Sequence, residues 1–162
     1  NVIALDAPQG WLQLKVGGIG GNRNFQCIVR RKNSLRTLHV QQFNESEKYL
    51  TGTYDLEILT VPRYIEYNVQ INRSTTTKIE IPAPGLVSLN APTQGFGSIY
   101  VQKGNEYEWV LNLPSNKRQN TYYLQPGSYS VVYRPQNAKE SIYTITKKFR
   151  IESGGSVVVN LQ

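Results

Sequence analysis

Leu124-Gln-Pro-Gly-Ser-Tyr-Ser-Val-Val-Tyr-Arg134 joins a Pro-Gly turn to a tyrosine-led strand, and a variant of it, Tyr49-Leu-Thr-Gly-Thr-Tyr-Asp-Leu-Glu-Ile-Leu59, occurs earlier in the chain. In both stretches a glycine opens the strand (Gly52, Gly127) and a tyrosine follows two positions later (Tyr54, Tyr129). Apolar or aromatic residues then continue at every second position: Leu56 and Ile58 in the first, Val131 and Tyr133 in the second. Period two is the mark of a strand with one buried face, and a glycine ahead of it suits a tight turn with positive φ. Two such stretches predict one module used twice.

Working outward, Gly10-Trp-Leu-Gln-Leu14 matches Gly85-Leu-Val-Ser-Leu89, and an Ala-Pro pair precedes each. Phe25-Gln-Cys-Ile-Val29 matches Gly97-Ser-Ile-Tyr-Val101, which equates Cys27 with Ile99. The strand holding Leu38 and Val40 matches the one holding Trp109 and Leu111 at an offset of 71. Val69-Gln-Ile71 pairs with Phe149-Arg-Ile151, and Thr77-Lys-Ile-Glu-Ile81 with Val157-Val-Val-Asn-Leu161. The boundary falls at Pro82-Ala-Pro84, where proline stiffens the chain and removes backbone donors, giving domains of residues 1–82 and 83–162. Short segments punctuated by Gly, Asn, Ser and Pro are the pattern of a sandwich. The expected fold class is all-β: two tandem antiparallel β-sandwiches with very little helix. Asn44-Glu-Ser-Glu-Lys48 is expected to form a helical turn capped by Asn44, and Gly17 to Gly21 a hairpin tip whose counterpart is Ala91 to Gly97.

The 162 residues contain no methionine, and the expectation is of a processed or excised piece. No apolar run approaches the roughly 18 residues of a membrane span. Cys27 is the only cysteine, which excludes an internal disulfide or an all-cysteine zinc site. The net charge of +7 is shared between the halves. Residues 1–82 hold ten Lys and Arg against seven Asp and Glu, and residues 83–162 eight against four. A nucleic-acid footprint concentrates its charge on one face, so nucleic acid is not the expected partner. A solvated basic surface attracted to anionic polymers is.

Pro126-Gly-Ser-Tyr-Ser-Val131, Phe149-Arg-Ile-Glu-Ser-Gly-Gly155 and the closing Val157-Val-Val-Asn-Leu161 resemble the PEGA and carboxypeptidase-regulatory-like, or transthyretin-like, sandwich families. The second half is also similar to modules lying C-terminal to von Willebrand factor A domains in bacterial envelope proteins. The first half keeps the outline but has Thr51 for Pro126 and Arg73-Ser-Thr for the Ser-Gly-Gly turn. The resemblance implies immunoglobulin-like or transthyretin-like sandwiches in a non-catalytic, extracytoplasmic accessory module, without cofactor and with a protein or cell-envelope polymer as partner. The Asp-x-Ser-x-Ser metal motif of the companion domain is missing, since the only aspartates are Asp6 and Asp55. Related sandwiches of the collagen-adhesin type form a Lys-Asn crosslink aided by a buried glutamate. Lys15 follows the first strand here, but alternation sends Glu57 to the face opposite Tyr54 and Leu56, which argues against that crosslink.

Candidates for chemistry read as structural. His39 lies between Leu38 and Val40, and alternation that buries those two turns His39 outward. Cys27 reads as a small buried hydrophobe, and Glu45 and Glu47 as solvated turn residues. Gly17 to Gly21 lacks the Lys-Ser/Thr of a phosphate loop. Asn44-Glu-Ser46 and Asn72-Arg-Ser74 are glycosylation sequons that matter only in a glycosylating host. The surplus is tyrosine, eleven against four Phe and two Trp. Such rings serve cores and contact surfaces alike. Trp109, in step with Leu111 and Leu113, is expected in the core. Trp11, Tyr64, Tyr67, Tyr107 and Tyr122 are the expected contact surface. Two further readings are a carbohydrate-binding module using exposed Tyr and Trp, and an accessory domain of a hydrolase.

Overall fold

The computed structural model describes residues 7–18, 23–137 and 143–162. The chain divides into two compact units, the first ending at Ile81 and the second beginning at Pro82.

The first unit holds seven strands: β1 (Gln9–Val16), β2 (Gln26–Arg31), β3 (His39–Gln42), β4 (Ser46–Leu50), β5 (Gly52–Ile58), β6 (Tyr64–Ile71) and β7 (Thr76–Ile81). The second repeats them as β8 (Gly85–Asn90), β9 (Gly95–Lys103), β10 (Glu106–Leu113), β11 (Gln119–Leu124), β12 (Gly127–Pro135), β13 (Ile145–Ile151) and β14 (Ser156–Asn160). Strand order is the same in both: β4-β1-β7 against β11-β8-β14, and β3-β2-β5-β6 against β10-β9-β12-β13. The chain is all-β, two tandem sandwiches, and no α-helix occurs among the described residues. Pairing is antiparallel except at one edge of each three-stranded sheet, where β1 runs parallel to β7 and β8 to β14.

The quoted stretch closes each sandwich in the same way. Gly52 and Gly127 sit at φ 155° and 158°. Across each of these crossings between sheets the Tyr54 hydroxyl donates to the Leu50 carbonyl (2.6 Å) and the Tyr129 hydroxyl to the Gln125 carbonyl (2.5 Å). A tyrosine closing onto backbone a few residues upstream pins a sandwich corner. Both rings are buried, as are Leu56, Ile58, Val131 and Tyr133 behind them. At about 1.5–3 kcal/mol per buried side chain, that alternation is what holds β5 and β12 inward. A second shared feature is close approach at Gly10 and Gly85, where a Cβ would stand 2.2 Å from the Asn72 carbonyl oxygen and 2.5 Å from that of Glu152.

Several sequence expectations change. β2 pairs Val29 with Leu56, whereas β9 pairs Ile99 with Val131, so Val29 and not Cys27 is the partner of Ile99. The slip is of two residues, which leaves the inner face intact. In β3 the true offset is 72: Gln41 opposes Cys27 as Leu113 opposes Gly97, and Gln41 and Leu113 are both buried. An offset of 71 exchanges the faces, so Leu38 and Val40, expected inside, are 50% and 42% exposed. A bulge between Trp109 and Leu111 resets alternation along β10, leaving Leu113 buried but Trp109 59% exposed.

Asn44-Lys48 forms no helical turn. Asn44 takes a positive φ of 64°, and Ser46 already begins β4, which pairs with β1. Gly17 and Gly18 start a connection between strands of different sheets, so they tip no hairpin, and Ile19 to Gly21 lie outside the described residues. Gly95 and Gly97 already belong to β9, paired with Pro135 and Tyr133 of β12, and a Cβ at Gly95 would meet the Arg134 carbonyl at 2.3 Å.

Candidate functional site

The buried groups with displaced pKa values are structural, while the half-buried Tyr64 and Tyr122 are raised as well. Burial pushes the Cys27 thiol up to about 12, away from the thiolate a nucleophile needs. Burial likewise raises the hydroxyls of Tyr49, Tyr54, Tyr129 and Tyr133. Each donates a hydrogen bond: Tyr49 to Gln41 Oε1 at 2.9 Å, Tyr54 and Tyr129 at the two corners, and Tyr133 to the Thr93 carbonyl at 2.5 Å. Gln41 in turn donates to the carbonyls of Leu12 (2.8 Å) and Glu45 (3.2 Å). His39 shares the inward side of β3 with Gln41, at the open edge of the sandwich. Its Nε2 stands 4.0 Å from Glu47 Oε1 and its ring lies edge-on to Tyr49.

The outer faces of the two four-stranded sheets differ. On the first, Glu57 accepts from Arg30 Nη1 at 2.7 Å and also from Arg63. The Arg30 guanidinium, then that of Arg63, holds the Glu57 carboxyl below its ordinary range. Asp55 beside it accepts from the backbone N–H of Asn68 (3.1 Å) and of Asn33 (3.3 Å). Glu57 thus lies turned away from Tyr54 and Leu56.

The second unit carries rings on the equivalent face. The register sets Tyr107 opposite Gln102, Trp109 opposite Tyr100 and Arg134 opposite Phe96, all turned away from the buried Ile99, Val101 and Tyr133. Trp109 Nε1–H donates to Asn112 Oδ1 at 2.9 Å, and the Ser98 hydroxyl donates to the same oxygen at 2.7 Å. The indole is therefore held by its polar edge while its ring stays in solvent. Beside it runs a shallow groove of about 480 Å³, whose walls include Phe96, Tyr100, Val132 and Arg134.

The sequence-expected contact residues lie apart. Trp11 sits on β1, half-buried, with Lys48 Nζ 5.5 Å from its ring centre. Tyr64 and Tyr67 lie on β6, Tyr64 half-buried and Tyr67 64% exposed. Tyr122 packs against the second core. Of the five, only Tyr107 shares a face with the groove. Phe96, Tyr100, Trp109 and Arg134 were not anticipated there. The signal for the first two was available, since Phe96, Ser98 and Tyr100 alternate with the buried Ile99 and Val101. Trp109 was hidden by the bulge.

No protein-family model and no curated protein sequence matches the chain. Among solved structures it is similar to the TIE protein of Bacillus anthracis, at 13% identity and a TM-score of 0.41 over 96% of this chain and 34% of that one. It is also similar to the minor pilin of Streptococcus agalactiae, at 11% identity and a TM-score of 0.45 over 95% of this chain and 94% of that one. A third is the pilus adhesin SpaC of Lactobacillus rhamnosus GG, at 11% identity and a TM-score of 0.30 over 90% of this chain and 26% of that one. The chain spans about a third of the length of the Bacillus anthracis protein.

Proposed function

We propose that the chain is a non-catalytic, extracytoplasmic module of the PEGA and carboxypeptidase-regulatory-like kind. It serves spacing, display and contact with protein or envelope polymer within a larger bacterial surface or secreted protein. The supporting observation is where its buried polar chemistry goes. The displaced thiol and hydroxyls are raised by burial, and the four hydroxyls close corners and core hydrogen bonds. An active site brings such groups together in a cleft with values near the working pH. Tyr49 and Tyr54 do share a small cleft with His39 and Glu47, but burial raises both hydroxyls away from the working pH and each is engaged, one on Gln41 and the other on the Leu50 carbonyl.

The reading is tested by pulling on the full chain. A two-module spacer unfolds in two events, each releasing a contour of roughly 27–29 nm less the span of the folded unit, at about 3.3–3.6 Å per residue, and an antibody to the chain labels intact cells of the source. A single unfolding event, or labelling only after permeabilisation, overturns it.

A further inference from the structure

We infer that the outer face of the β10-β9-β12-β13 sheet binds a glycan strand bearing carboxylates, with Trp109, Phe96 and Tyr100 taking sugar-ring faces and Arg134 and Lys148 taking the acid groups. The inference rests on the reading of the chain as a contact module and names the site and the chemistry of its ligand.

Three observations carry it. The first is a built platform. Exposed apolar side chains point to a contact site where they gather on one face, and Trp109 and Phe96, 59% and 54% exposed, share a face with Tyr100 between them along the sheet. Trp109 is also held in place, because Asn112 Oδ1 accepts from the indole N–H while Ser98 donates to the same oxygen. A ring fixed before binding loses little entropy on binding. It also has its N–H already occupied, which leaves the apolar ring face as the surface it offers. The C–H faces of sugar rings suit that surface.

The second is charge. Arg134 is opposite Phe96 in the ladder, and Lys148 is opposite Ser130 on the same outward side. Neither makes an ion pair among the described residues, whereas Lys103 is paired with Glu108 and Arg150 with Glu152. The face thus has its rings on β10 and β9 and one unpaired cation on each of β12 and β13, Arg134 and Lys148. The guanidinium fork of Arg134 matches a planar carboxylate. The third is shape, an open, shallow groove whose walls include Phe96, Tyr100, Val132 and Arg134. It fits an extended strand better than a compact small molecule.

The test measures binding of the full chain to polygalacturonate, with fully methyl-esterified polygalacturonate, poly-glutamate and oligo(dT) as controls that remove the charge, the sugar, or both sugar polymer and carboxylate. The expected order is polygalacturonate tightest, with the methyl ester at least fivefold weaker. Trp109→Ala weakens polygalacturonate binding about tenfold and Trp109→Tyr restores most of it. Arg134→Gln weakens binding to the acid form alone and flattens its salt dependence. Unchanged thermal unfolding of each variant excludes a folding defect. Equal or tighter binding of poly-glutamate or oligo(dT) overturns the inference in favour of a protein or nucleic-acid partner. Absent polygalacturonate binding, or unchanged affinity on Trp109→Ala, overturns it outright. None of these results touches the spacer reading, which stands on unfolding and intact-cell labelling.

Discussion

The two four-stranded sheets share strand order, corner tyrosines and inner faces, yet matching outward positions carry opposite chemistry. Pairing places Arg30 opposite Asp55 where the second unit has Tyr100 opposite Ser130, and Ile28 opposite Glu57 where it has Ser98 opposite Val132. The first unit therefore satisfies its outer charges internally, through Arg30, Glu57 and Arg63. The second replaces both members of the Arg30–Glu57 pair with groove-lining side chains. A duplicated frame leaves its outward residues free to diverge, because they contribute little to the core that both copies must keep. The frame belongs to both units; the groove flanked by exposed Phe96 and Trp109 belongs to one.

The sharpest way to break the comparison is at a buried position where the copies differ in polarity. Gln41 and Leu113 occupy equivalent buried sites, so Gln41→Leu looks like a harmless borrowing. It should instead destabilise the first unit by about 2–3 kcal/mol, since the buried Tyr49 hydroxyl loses its acceptor. Denaturant unfolding measures it, and a neutral result means the two cores are interchangeable. Next in size is Glu57→Gln, expected to cost about 1–2 kcal/mol in the first unit alone, because Arg30 loses an ionised partner with 17% of the Glu57 side chain exposed.

The same substitution carries a pH test. The folded Glu57 carboxyl lies below its unfolded value, so in acid the unfolded state binds the extra proton. The contribution is complete above the ordinary glutamate value of about 4.3 and is lost as pH falls through the folded value. The first unit should weaken over that window in the parent chain, and Glu57→Gln should remove that part of the slope. A slope that persists assigns it to other carboxylates.

The copies were legible in sequence where burial enforces alternation. Gly-x-Tyr followed by apolar residues at every second position fixed the faces of β5 and β12, and Val69/Ile71 and Phe149/Ile151 did the same for β6 and β13. What escaped were the strands whose register depends on a neighbour. Phe43 two positions after Gln41 marks the inner face of β3, but a glutamine there satisfies itself on backbone carbonyls and so reads as surface. Trp109 is two residues before Leu111 and reads as core, until one extra residue in β10 turns it over. Bulges answer to pairing geometry and have no local sequence pattern strong enough to show them. The exposure of Trp109 was missed for that reason, and the expected set of Trp11, Tyr64, Tyr67, Tyr107 and Tyr122 is spread over four strands in two units.

Removing one corner hydroxyl tests what the copies share. Tyr54→Phe and Tyr129→Phe should each cost about 1 kcal/mol, which moves the melting of a domain this size by roughly 4–8 °C. The two shifts should agree, since both bonds span four residues and both rings are buried. Unequal shifts mean the corner is a frame element in only one unit.

The smallest expected effect separates frame from surface most cleanly. Asn112 is the residue that holds Trp109, and at its place the first unit has the exposed Val40, which holds nothing comparable. Asn112→Ala removes the acceptor for both Trp109 and Ser98, yet all three lie at the solvent-facing side of β9 and β10. Stability should therefore change by less than about 0.5 kcal/mol. In a Trp11→Phe background, which leaves Trp109 as the only indole, its fluorescence anisotropy should nevertheless fall as the ring gains freedom. A ring that loosens while the unit stays folded is there to meet something outside the fold. If the same substitution lowers the melting of the second unit by several degrees, Trp109 belongs to the frame after all, and the difference between the two outer faces is one of packing rather than of contact.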